Sequence, residues 1–90
     1  MRAALEWCRA RGPEMTALLR QLVEIESPST EAAAVAAVAH RLAREAETLG
    51  LTPELVPVPG AGPLFRARSA AAGRPVMLLG HLDTVWPLGT

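Results

Sequence analysis

His81 and Asp83 are the residues whose types and spacing could do chemistry in this chain, because an imidazole and a carboxylate stand two positions apart in Gly80-His81-Leu82-Asp83-Thr84. A neutral imidazole binds a metal ion through one ring nitrogen, and a carboxylate near the other can fix the tautomer and raise the ligand's basicity. Side chains in extended backbone alternate faces with a period of two, so this spacing places His81 and Asp83 on one side and Leu82 on the other. The preceding Val76-Met77-Leu78-Leu79 is an uninterrupted apolar run after Arg74-Pro75, which predicts a strand buried on both faces. Polar groups at the carboxyl end of such a strand lie where α/β sheets usually build their sites.

The elements that would position this pair can be read upstream. Residues 2–10 suit a short helix with Leu5 and Trp7 as anchors, ended by Arg11-Gly12-Pro13. Pro13 fits the first turn of a second helix, whose apolar positions Leu18, Leu19, Leu22, Val23 and Ile25 form one stripe. Ser27-Pro28 ends that helix, since the residue before proline is pushed out of the α region. Ser29 or Thr30 can cap an alanine-rich helix over about residues 31–49, with Val35, Val38, Leu42 and Leu49 along one side and Gly50 as its stop. Residues 51–58 read as a strand interrupted by Pro53 and Pro57, residues 59–63 as a turn, and residues 64–68 as the partner strand. The expected fold class is therefore α/β: two main helices, a hairpin, then a buried central strand in a layered domain whose sheet is incomplete within residues 1–90.

Composition narrows the function classes. Half of the 90 residues are hydrophobic and the formal net charge is zero, so there is no electrostatic case for nucleic acid or for an anionic membrane surface. The three aromatic residues offer no stacking platform for single strands. Cys8 is the only cysteine, which rules out an internal disulfide and suits a helix-packing role. Arg2, Glu6, Arg9, Arg11 and Glu14 break any apolar targeting core near the start, so a cytoplasmic protein is the default expectation. His40 lies in the alanine-rich helical pattern with no second ligand at metal spacing and reads as a solvated helix-face residue. Glu6, Glu14, Glu24, Glu26, Glu31, Glu45, Glu47 and Glu54 read as helix-end and surface charges.

The string Gly80-His81-Leu82-Asp83-Thr84-Val85-Trp86-Pro87-Leu88-Gly89-Thr90 resembles the first metal-binding motif of the M20 family of zinc metallopeptidases, and its tail is most similar to the glutamate carboxypeptidase branch. Another two-zinc aminopeptidase family also opens on His-x-Asp, but Thr84-Val85 fits the former better. The order of Leu18 to Ile25, Glu26-Ser27-Pro28-Ser29, a long helix closed by Leu49-Gly50, Val56, and the approach to His81 follows the same family. The resemblance thus spans nearly the whole chain, with motif-grade specificity only in its last segment. It implies that His81 ligates one ion of a two-zinc centre and that Asp83 supports catalysis by holding that ligand. It also implies hydrolysis of an amide bond in a small peptide or N-acyl amino acid, with glutamate as a candidate leaving group, by a zinc-activated water. A dimerisation domain in the family implies a homodimer of the complete enzyme.

The same family needs a bridging aspartate, an adjacent glutamate pair that includes the general base, a further acidic ligand and a late histidine, and residues 1–90 contain no matching motif. The expectation is an N-terminal portion of one catalytic domain, truncated after the first metal motif and inactive alone. Two other readings stay open: a non-catalytic truncated product, and a small helical interaction module in which His-x-Asp is coincidence. Trp86 suits either the mouth of a site or packing under the loop that follows.

Overall fold

Three helices and one hairpin make up the computed structural model, which describes residues 1–90. Helix α1 (Arg2–Ala10) and helix α2 (Gly12–Glu24) meet at Arg11, and Pro13 sits in the first turn of α2, where its missing N–H interrupts no helical bond. The Arg11 guanidinium lies 4.0 Å from the centre of the Trp7 ring, a cation–π contact across the junction. Neither helix buries a residue. Ile25 is already extended, three residues before Pro28.

Helix α3 (Ala32–Thr48) carries the core. Val35, Val38, Ala39 and Ala46 are its buried residues, and their spacing marks one face. The helix stops where its backbone can turn left-handed: Gly50 has φ +76, its N–H donates to Glu47 O at 3.0 Å, and the Leu51 N–H donates to Ala46 O at 3.0 Å. That pair of bonds is a Schellman ending, which satisfies two of the last carbonyls. Strands β1 (Thr52–Val56) and β2 (Leu64–Arg68) then pair antiparallel, with Glu54 opposite Arg66 in an ion pair and Pro53 opposite Ala67. Both strands pack on α3, and Phe65 and Ala67 alternate inward along β2. The hairpin turn approaches the helix so closely that a Cβ built on Gly62 would stand 2.4 Å from Val35 Cβ and Cγ1. Glycine is required there by space.

The sequence predicts the hairpin and all three helices close to these bounds, but the burial expected of Leu5 and Trp7 in α1, of the stripe on α2 and of Leu49 is not found, and two further expectations differ. The first is Val76–Leu79, expected as a central strand left exposed at the edge of an incomplete sheet: the exposure is found and the strand is not. The segment makes no ladder, and its four side chains are 83–94 % exposed. An apolar run becomes a buried strand only where neighbouring strands take its N–H and C=O groups and layers cover both faces. Here α3 covers one face of a two-stranded sheet, and residues 1–90 offer nothing more to pair with it. The second is the α3 cap: the N-cap residue is Glu31, and no side chain caps the helix. The Ser29 hydroxyl is engaged elsewhere. No helix is long and apolar enough to cross a membrane.

Candidate functional site

Six of the ninety residues are buried, and two of them, Ser27 and Pro28, belong to the short connector between α2 and α3. Their burial comes from the loop that carries His81 and Asp83. Pro28 and Thr84 form a parallel bridge: the Thr84 N–H donates to Ser27 O at 2.8 Å, and the Ser29 N–H donates to Thr84 O at 2.9 Å. Between those two bonds the proline, which has no N–H, needs no acceptor. The Ser27 hydroxyl donates to Leu82 O at 2.8 Å, and further along Glu26 Oε2 accepts the Gly89 N–H at 2.7 Å. The loop is thus laid against the connector as a short strand would be, with side chains adding to main-chain bonds.

This arrangement brings the two predicted site residues together without the strand that was expected to present them. His81 Nδ1 lies 2.9 Å from the Asp83 carbonyl oxygen and 3.5 Å from Asp83 Oδ1. Both neighbours are acceptors, so a neutral ring carries its proton on Nδ1 and turns the Nε2 lone pair outward. The imidazole side chain is 85 % exposed, and Nε2 has no partner within the chain. On the far side of the carboxylate, Ser29 Oγ stands 2.6 Å from Asp83 Oδ2 and 3.0 Å from Thr84 O. A hydroxyl has one proton, and the shorter, charge-assisted bond to the carboxylate takes it. The Ser29 hydroxyl, the main-chain N–H of Asp83 and the His81 ring together hold the Asp83 carboxyl below its ordinary value, with partial desolvation opposing them.

An open groove of about 690 Å³ adjoins the pair. Leu22 of α2, Val38 and Leu42 of α3, and Trp86 supply apolar wall, with His81 and Asp83 also lining it. Trp86 is 64 % exposed, so it faces this groove and is not packed under the following loop. Cys8 is exposed as well, contrary to the helix-packing role expected of it. His40 lies exposed on α3, as its setting predicts.

The fit of a zinc ion can be judged on donor chemistry. A catalytic zinc takes three protein ligands and keeps a fourth position open. His81 Nε2 offers one ligand, and Asp83, held by Ser29, is placed to support the ring from behind. No group of three or more His, Cys, Asp or Glu side chains in the chain is arranged to hold a metal ion. The residues present therefore fit one ligand position and not a whole centre.

Ser27, Ser29 and Glu26 are the functional neighbours that sequence reasoning missed. In sequence Ser29 reads as a candidate cap of α3, Ser27 with Pro28 as the end of α2, and Glu26 as a surface charge. A serine's local appetite for nearby backbone N–H groups is visible in sequence; a partner 54 residues away is not. Comparison with models of known families, with curated proteins and with solved structures finds no match for this chain.

Proposed function

We infer that residues 1–90 carry the first metal ligand, with its supporting carboxylate, of a metal-dependent amide hydrolase resembling the glutamate carboxypeptidase branch of the zinc metallopeptidases. The observation that carries this reading is the His81 ring itself, with Nδ1 held by Asp83 and Nε2 directed outward, the state a metal-binding imidazole needs. In this reading Val76–Leu79 becomes the central strand of a layered zinc-peptidase-like domain when further strands flank it. The remaining ligands and the general base come from outside these residues. A complete centre holding zinc would supply a water ionised near neutral pH and polarisation of the amide carbonyl. His81 holds the ion and Asp83 holds His81. The apolar groove beside them is of a size to take a small peptide or N-acyl amino acid. The chain by itself has no hydrolytic activity, because a single imidazole does not fix a catalytic ion.

Zinc titration of the chain, followed at the ring resonances of His81 and His40 and repeated with His81→Ala, tests the reading. Weak binding that perturbs His81, spares His40 and disappears in the variant supports it. Failure of zinc in large excess to perturb His81 overturns the ligand assignment. Tight stoichiometric binding with amide hydrolysis would instead overturn the claim that the centre is incomplete.

A further inference from the structure

The tautomer of His81 depends on where the Asp83 main chain and carboxylate sit, and neither is fixed by regular secondary structure. Residues 80–83 lie in no helix or strand, and the Asp83 side chain is 42 % exposed. A carboxylate that free would rotate toward water. Ser29 prevents this from two directions: its hydroxyl donates to Asp83 Oδ2 at 2.6 Å, and its N–H donates to Thr84 O at 2.9 Å. With Oδ2 engaged, the carboxylate presents Oδ1 to His81 Nδ1, while the Asp83 carbonyl accepts from the same nitrogen.

We propose that Ser29 is a positioning residue for His81: through the Asp83 carboxylate and the Thr84 carbonyl it keeps the imidazole in the Nδ1–H form with Nε2 open for a ligand. The hydroxyl is the working group, because it alone reaches the carboxylate. Ser27 has a different task, since its hydroxyl donates to the Leu82 carbonyl and not to the Asp83 carboxylate. The consequence for metal affinity rests on the reading of His81 as a ligand; the tautomer itself does not.

Long-range ¹H–¹⁵N correlation spectra of the ¹⁵N-labelled chain at about pH 8.5, where an ordinary histidine is neutral, report the two ring nitrogens separately, with His40 as an internal reference. The expected result is a His81 ring mainly in the Nδ1–H form. Ser29→Ala lowers the ratio of Nδ1–H to Nε2–H about five-fold, the loss of one ordinary hydrogen bond, and Ser29→Thr, which keeps the hydroxyl, restores it. If Ser29→Ala fails to fold, Ser29→Cys keeps the volume with a weaker donor and is expected to lower the ratio part of the way. An Nε2–H ring in the unsubstituted chain overturns the proposal. So does a ratio unchanged in the alanine variant, or in the cysteine variant where that one replaces it, or a threonine variant that behaves like alanine. Zinc titration of the same samples reads the second step, with His81-linked affinity about ten-fold weaker in Ser29→Ala. A chain whose His81 ignores zinc but whose tautomer follows the Ser29 hydroxyl would refute the metal reading and leave the positioning role intact.

Discussion

Ser27→Ala tests whether the connector clamps the His81 loop or merely belongs to one cooperative fold. Ser27 is 4 % exposed, and its hydroxyl donates to Leu82 O at 2.8 Å. Removing the hydroxyl deletes one net hydrogen bond, about 1 kcal/mol, with a further penalty if the carbonyl stays dry. Leu82 is half-buried, so water reaches part of it and the total stays near 1–1.5 kcal/mol. That free energy corresponds to about a 5- to 12-fold change in a local opening equilibrium. Amide hydrogen exchange reads it at two sites, the Thr84 N–H bound to Ser27 O and the Ser29 N–H bound to Thr84 O. Protection at both is expected to fall by that factor, while the amide of Ala39, the most buried residue of α3, keeps its rate. Two results would refute the reasoning. Equal loss at Ala39 means that the connector and the helix open together, so there is no separate clamp. Unchanged Thr84 exchange means that the main-chain bridge alone holds the loop.

Four further outcomes follow from the same geometry. Asp83 is held below the ordinary carboxylate value first by the Ser29 hydroxyl, so Ser29→Ala should raise its titration midpoint toward 3.8 in ¹³C carboxyl spectra, and an unmoved midpoint would deny that bond. Because the folded-state value is the lower one, the stabilisation is complete above the ordinary value and is lost as pH falls through the depressed one, so loop amide protection should begin to drop as pH falls below the ordinary carboxylate value. Gly62→Ala forces a Cβ to within 2.4 Å of Val35, an overpacking worth about 1–3 kcal/mol; urea titration by circular dichroism should show an earlier transition, and an unchanged midpoint would mean that the turn moves aside at no cost. Val76→Lys with Leu78→Lys alters two side chains that are 88 % and 94 % exposed, so helix content should persist while self-association in sedimentation falls; loss of helix signal would contradict the exposed placement.

How far the sequence discloses this fold depends on the range of the forces involved. The helix stop at Gly50, the proline in the first turn of α2 and the two hairpin strands are local matters of backbone sterics and alternation, and each is seen where the residues predict it. His81 and Asp83 are adjacent for the same reason, since two residues of chain can hardly separate them. What is not legible is non-local. The apolar run at Val76–Leu79 records what that segment needs, and the sequence also shows too few further elements to cover it; what it does not show is that without them the segment forms no strand at all. The Ser29 hydroxyl chooses between a nearby N–H and a carboxylate, and the carboxylate lies 54 residues along the chain.

The two surprises bear on each other. If the pair were presented by a buried strand, its geometry would depend on completing the sheet, and exposed Val76–Leu79 would leave His81 and Asp83 without order. Instead the loop is tied to the α2–α3 connector at Leu82, Asp83, Thr84 and Gly89 while the strand segment is unpaired. The connector follows α2 directly and leads into α3. The His81–Asp83 geometry therefore does not depend on pairing along Val76–Leu79. Substitutions in the connector should consequently disturb His81 more than substitutions in Val76–Leu79 do, although the latter are its nearer neighbours in sequence.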